Sequence, residues 1–509
     1  VFDFSLAALF APVLGWLAVY WPALLVVWGG FKIYQRATHP QTARVSGLEV
    51  FLLFVIVVLG LGVRAARHVA MRLELDDISV IEETFALAPP HRFVEERVFE
   101  LSQETTTLTV ITDRGAIRAR GWDEPRVQAV VSKYVRHATE ARAEEIARNL
   151  EVSLHTTDEL AELNLTPPRD TDRDTDTSTD MEVELDLLIP KRVALVVKNR
   201  RGPVRVSELA ARVDVATSHD NVEIESVSGD VEVSTRHESI RLDGIQGSVS
   251  ATNHHGPITA TRVGGNLTAE TLNGAIRLEE IGGAAELRTR HGSIRVHRIE
   301  GELTIDGLNS EIDVEDAASR VSVETSNHVV FIRDVKGELD VEARNSAVTL
   351  RNLHGAARLR NRYGPVTVLS AGGSVGIEAP QSAVVIDRVS GDVNIRSSHE
   401  RVTISNVDGT VVVEAEHAPV HVTNRGAPGD LRLHTSYGDV ELEIPFAPDG
   451  RYELRTRSGE LHSGWVDVDW KASDTSDGKS WIHAPEIEGG PVRSVEVVTS
   501  YGNIVLKEP

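Results

Sequence analysis

From residue 203 onward the chain alternates apolar and polar residues in short bursts that recur every eighteen residues. Cutting at Pro203 and then at each eighteenth residue yields twelve units ending at Ala418, and none carries an insertion. The second position is β-branched in every unit, running from Val204, Val222, Ile240, Ile258, Ile276 and Ile294 through to Val402. Positions 4, 7, 11 and 13 follow suit: the five columns hold only Val, Ile, Leu or Ala, and only seven of these residues are Ala. Arg, Glu, Asp, Thr and Ser fill the gaps.

Positions 2 and 4, then 11 and 13, have the two-residue period of strands with one buried face. A single unit cannot bury that face, so each must stack on copies of itself, with equivalent residues about 4.8 Å apart. Twelve rungs at that spacing span roughly 58 Å. Each rung then buries five aliphatic side chains at about 1.5–3 kcal/mol apiece, before ordering entropy. Constant unit length has a physical reason, because an extra residue would turn later side chains out of their stack. The pattern predicts an all-β fold, a parallel β-solenoid of 18-residue coils with Val222, Ile240, Ile258, Ile276 and Ile294 in its core. Right-handed crossovers are the rule for parallel strands, which favours a right-handed coil with two or three faces. Position 9 is Gly in ten units, among them Gly229, Gly247, Gly265, Gly283 and Gly301, with Ala211 and Ser319 as exceptions. These glycines are expected to supply the backbone freedom for a turn.

Before the repeat, residues 73–200 read as a β-rich entry region. FVEERVFEL (93–101), TLTVITDRGAIRARGW (107–122, turning at Arg114-Gly115), VQAVVSKYV (127–135), MEVELDLLIP (181–190) and VALVVKN (193–199) have strand character. Ala143, Ile146, Ala147 and Leu150 share one face of a helix predicted over 138–150. The polar run PPRDTDRDTDTSTD (167–180) lacks the glycine and distal glutamate of a calcium loop and reads as a solvated linker. After Ala418 the period loosens, and 419–509 is expected to form irregular coils and a C-terminal cap over the exposed sheet edges.

The N-terminal pattern differs. Residues 5–34 carry no charge before Lys32, and residues 47–63 carry only Glu49. A bilayer crossing needs about 20 apolar residues, so residues 1–72 are expected to form a membrane anchor, with helices at about 12–33 and 47–65. Trp16, Tyr20 and Trp21 suit the membrane–water interface. Lys32, Arg36 and Arg44 between the segments balance Arg64, Arg67 and Arg72 after the second. The uncharged leading flank with Asp3 favours a cytoplasmic inter-helix loop and an extracytoplasmic solenoid.

Composition narrows the chemistry. A net charge of -23 opposes nucleic-acid binding. With no cysteine there are no disulfides or thiolate metal sites. Position 17 gathers His219, His237, His255, Asn273 and His291, then Asn309, Asn327, Asn345, Tyr363, Gln381, His399 and His417. Stacked imidazoles at His219, His237 and His255 suggest a metal ladder. Asn interrupts the histidines, however, so the column reads instead as a turn corner, where Asn and His tolerate left-handed backbone. No catalytic residue, cofactor or metal is expected.

The recurring step [Thr/Ser]-x-[Asn/His/Tyr]-Gly-x-[Ile/Val], seen in TSYGDV, TSYGNI and TLNGAI, resembles the bacterial putative-adhesin family of β-strand repeats. GAIRARGWDEPRVQAVVSKYV and LLIPKRVALVVKNRRGPVRV extend the resemblance over about residues 93–509. It implies an envelope-associated β-solenoid with no established catalytic residues. YWPALLVVWGGFKI (20–33) is similar to the membrane segment of Lia-type envelope-stress regulators. The leading expectation is therefore a non-enzymatic protein of the bacterial inner membrane, anchored in lipid. Its solenoid would present a scaffold surface to a protein or envelope polymer. The alternatives are a regulatory arm of an envelope-stress system, a polymerising scaffold resembling bactofilins, and a polysaccharide-active β-helix enzyme.

Overall fold

The computed structural model describes residues 90–136, 139–148, 150–157, 159–166, 181–426, 429–485 and 493–509. The helices expected at 12–33 and 47–65 and the linker at 167–180 lie outside them. No helix among the described residues is long and apolar enough to cross a membrane. The chain divides into two compact units. In the smaller, Arg92 lies over the Tyr134 ring at 5.8 Å. The helix at Glu140–Arg148 buries Ala143 and Ala147 and begins in this unit.

The larger unit is the solenoid. Each eighteen-residue coil contributes one strand to each of two parallel sheets, as Ile240–Ile245 and Val249–Asn253 do. Rungs pair at an offset of eighteen: Val222 faces Ile240 and Ile240 faces Ile258 in the first sheet, while Val231 faces Val249 in the second. Every residue of the five aliphatic columns, twelve units by five, is buried. Val222, Ile258, Ile276 and Ile294 each expose no more than 1% of their surface, and Ile240 none.

The uneven spacing of the columns has a local cause that the sequence pattern does not announce. Position 6 adopts a positive φ in all twelve coils, from Glu208 (59°), Ser226 (55°) and Gly244 (67°) to Arg388 (56°) and Asn406 (52°). Ladder pairing skips this residue, passing from Glu225↔Asp243 to Val227↔Ile245. The left-handed residue lets positions 4 and 7, three apart, both face inward.

The position-9 glycines are explained differently from the sequence expectation. None of the five named above has a positive φ. A Cβ on Gly247 would lie 2.5 Å from the carbonyl carbon of Gly229, and one on Gly265 would lie 2.6 Å from that of Gly247. Close stacking of backbones from rung to rung, rather than a positive φ, favours glycine in these coils, although Ala211 and Ser319 occupy the position in two others.

Both ends of the stack break chain order. In the first sheet Ala116–Trp122 lies between Met181–Pro190 and Val204–Leu209, and in the second Thr107–Arg114 lies between Leu160–Thr166 and Ala194–Arg201. Only Gly115 (φ 145°) separates these two inserted strands. At the other end Arg493–Thr499 fits between Leu431–Thr435 and Gly450–Thr456. Likewise Ile504–Lys507 fits between Val440–Glu443 and Leu461–Ser463. The last strands of the chain thus fill an inner rung.

Candidate functional site

With the aliphatic columns spent on the core, chemistry belongs to the outward positions and the corners. One further column, position 15, is buried in every coil and polar in eight of the twelve, and the hydrophobic pattern passes over it. Thr271 Oγ1 accepts from the Gly274 N–H at 3.2 Å and donates to the Gly256 carbonyl at 3.3 Å. Thr289 and Thr325 donate to the carbonyls of Gly274 and Gly307. Asn253 Nδ2 donates to the Glu238 carbonyl at 2.6 Å. These side chains satisfy corner peptides that the ladders cannot reach, and each unmet group of this kind costs about 1–3 kcal/mol. The available signal was compositional, since position 15 is Thr, Asn, Ser, Gly or Ala in every unit.

Position 17 forms an exposed ladder. His237 and His255 stack at 5.3 Å with a 6° interplanar angle, and His219 tilts by 40° over His237 at 5.2 Å. Asn273 Nδ2 lies 3.1 Å from His255 Nδ1. The amides continue the chain, Asn327 donating to Asn309 at 2.7 Å and Asn345 to Asn327 at 3.0 Å. Stacked rings hold their nitrogen lone pairs in parallel planes, whereas a zinc or copper ion needs ligands converging at about 2.0–2.1 Å. Among the described residues no three His, Asp or Glu converge in that way. The left-handed corner is present at Asn309, Asn327, Asn345, Tyr363, Gln381 and His399. His219, His237, His255, Asn273, His291 and His417 lack it; there ring stacking joins His219, His237 and His255, and His417 with Tyr437, while Asn273 is held by its contact with His255. Further along, His399, His417, Tyr437 and Tyr501 stack at 5.0, 4.6 and 4.8 Å. Tyr501 reaches Tyr437 only because the last coil is inserted out of order.

Charges on the outward faces are paired between rungs. Arg360, Glu378, Arg396 and Glu414 alternate on successive rungs, with contacts of 3.2, 3.8 and 2.9 Å. The Arg333 guanidinium holds the Glu315 carboxyl below its usual range, chiefly by a hydrogen bond. All these groups are partly or fully exposed, and such pairs contribute at most about 1 kcal/mol each. A concavity of about 640 Å³ opens where Ser370, Ala371 and Gly372 thin the position-6 corner, between Asn352 and Arg388.

The C-terminal end carries a cluster of rings. Trp465 is buried and donates from Nε1 to the Ile444 carbonyl at 3.1 Å. It meets Phe446, Tyr452 and Trp470 at 5.3, 5.1 and 6.3 Å. Burial raises the Tyr452 phenol above its ordinary range, and its oxygen accepts from the Ala447 N–H at 2.8 Å. These rings plug the end of the core. Beyond them, the outermost strand of the second sheet, Lys471–Thr475, is exposed along its whole length.

A family model described as Toastrack DUF4097 matches residues 143–507. No curated protein matches the chain. Among solved structures, a crystal structure of a "putative cell adhesion protein" from Clostridium sporogenes aligns at 8% identity over 82% of this chain and 100% of that one, with a TM-score of 0.15. So poor a superposition carries no argument.

Proposed function

The chain belongs to the Toastrack DUF4097 family, and on that basis we propose that it is a non-enzymatic interaction scaffold of the bacterial cell envelope, akin to an adhesin. In this reading residues 1–72 anchor it in the inner membrane and the solenoid stands outside the cytoplasm. The observation that carries the scaffold role is the equal length of twelve coils between residues 203 and 418. Catalytic and lid residues sit disproportionately on loops held by a rigid frame, and no loop leaves these rungs. The outward columns instead repeat at rung spacing, which suits an extended partner contacted at many points.

The capped C-terminal end weighs against end-to-end polymers. Its edge strands are Lys471–Thr475, with an exposed Lys and Asp, and the three-residue Leu461–Ser463. Short or charged edges of this kind resist pairing with another sheet. The regulatory-arm reading rests on residues 20–33 alone.

Fractionation tests anchoring and independence together. The full chain should sediment with membranes and require detergent for release. A chain starting at residue 73 should stay in the supernatant with a β-type far-ultraviolet spectrum. Membrane retention of the shortened chain, or loss of that spectrum, would overturn the proposal.

A further inference from the structure

We propose that the strand His91–Glu100 joins its counterpart in a second copy of this chain, edge to edge and antiparallel, about a twofold axis at Glu96.

The strand is ten residues long and pairs with Arg126–Val135. No other strand among the described residues pairs with it, so its far side is a sheet edge. An edge presents a row of unpaired N–H and C=O groups, and the usual defences are shortness and charge. The C-terminal edges follow that rule, with five residues in Lys471–Thr475 and three in Leu461–Ser463. The N-terminal edge is twice the length of the longer of these, and Val94 and Val98 are 56% and 50% exposed on it.

Alternation sorts the strand into two faces. Val94, Glu96 and Val98 share the exposed one. Phe93, Glu95 and Phe99, all half-buried, share the other with Arg97. Glu95 meets Arg97 at 2.5 Å and Lys133 Nζ at 2.9 Å. Glu96 accepts from Gln128 Nε2 at 2.5 Å. These contacts hold the charged side chains in place on a strand that is otherwise open.

The stretch FVEERVF (93–99) is nearly a palindrome. Set antiparallel against itself about Glu96, it places Phe93 opposite Phe99, Val94 opposite Val98 and Glu95 opposite Arg97. Twofold symmetry makes each of these pairs twice. Aromatic, β-branched and opposite-charge pairs are the cross-strand combinations that stabilise a sheet. Only Glu96 meets its like, on the axis itself.

Other alignments fail. Sliding the copies by two residues opposes Phe93 to Arg97 and Val94 to Glu96 in one direction. In the other it opposes Glu95 to Phe99 and Glu96 to Val98. Parallel pairing in register sets Glu95, Glu96 and Arg97 each against its own kind, which is destabilising. The charges thus deter pairing in general and permit it in one register. An unrelated strand would have to reproduce the same order, so the sequence selects a second copy. The twofold uses up the long edge of both copies, and the contact therefore makes a dimer and not a filament.

The chain has no cysteine, so single thiols report the register in the full chain, purified in detergent. Residues opposed across antiparallel strands have Cα atoms about 4.5–5.5 Å apart, within disulfide range. Under mild oxidation Glu96→Cys should therefore cross-link to a covalent dimer. In Val94→Cys the two thiols stand four residues apart, about 13 Å, and cross-linking should be at least about tenfold slower. Val94→Lys with Val98→Lys, or Val94→Glu with Val98→Glu, sets like charges opposite one another at exposed positions. Each double variant should sediment as a monomer with its thermal midpoint held, and an equimolar mixture of the two should sediment as the dimer. Glu96→Gln removes the one like-charge contact and should lower the dimer Kd by about twofold to fivefold. A parent chain that sediments as a monomer, equal cross-linking of the two thiols, double variants that stay dimeric, or a mixture that stays monomeric would overturn the proposal. So would an unchanged or raised Kd in Glu96→Gln.

Discussion

Ser226 and Gly265 sit a few residues from equivalent places in the coil, yet they ask opposite things of the backbone. Ser226 holds φ at 55°, a region that strains an L-residue by about 1–2 kcal/mol. Glycine would relieve that strain and give back about 0.5–1 kcal/mol in chain entropy. Ser226→Gly is thus expected to raise the urea midpoint by the equivalent of up to about 1 kcal/mol; a lowered midpoint would contradict the strain. Gly265 has no positive φ, but a Cβ there meets the Gly247 backbone at 2.6 Å. Gly265→Ala should cost about 1–3 kcal/mol through overpacking, read in the same titration, and an unchanged midpoint would show that the rungs can spread. Sequence reasoning found the glycine column and assigned it the wrong cause, since a glycine looks alike whether it spares a dihedral or a contact. The left-handed column escaped notice because Glu208, Arg262 and Arg298 are residues that carry no turn signal.

At the scale of elements, most of the stack follows from repeat length alone, but the ends do not. Arg493–Thr499 and Ile504–Lys507 pair on both sides, against Leu431–Thr435 and Gly450–Thr456 in one sheet and against Val440–Glu443 and Leu461–Ser463 in the other. Removing residues 493–509 would leave an empty rung beneath the ring cluster around Trp465. The shortened chain is expected to aggregate and to lose the blue-shifted fluorescence of a buried indole. A monomer with Trp465 still shielded would mean that the outer strands close the gap. The repeated TSYG at 435–438 and 499–502 marked both segments as coils, but their order in space was not legible. Local pattern says that a strand wants neighbours; it does not say which ones.

For the molecule as a whole, two electrostatic effects compete. Exposed rung-to-rung pairs such as Arg396–Glu414 weaken as salt screens them, while a net charge of -23 opposes compaction by self-repulsion. Surface pairs are worth at most about 1 kcal/mol each and many contribute nothing measurable, so the second effect should prevail. Raising sodium chloride from low to physiological strength is expected to raise the thermal midpoint, and a fall would show the ion ladders to be dominant. Acid acts through particular groups. The Lys133 ammonium, by its hydrogen bond at 2.9 Å, holds the Glu95 carboxyl below its usual range. Because the folded value lies below the unfolded one, this contribution is present above the ordinary carboxylate range and disappears as pH falls through the folded value. Glu95→Gln should therefore lower stability at neutral pH and converge with the parent in acid. Parallel curves across that range would refute the coupling.

The eighteen-residue period by itself determined the parallel stacking, the register and the buried columns. A repeating aliphatic pattern has one low-energy way to leave water, and equal lengths admit one alignment. Only the tertiary structure decided the left-handed residue that turns position 7 inward, the contact that excludes a Cβ at position 9, and the interleaved ends. These depend on how closely one rung approaches the next and on which rungs meet, distances that no single strand carries in its own pattern.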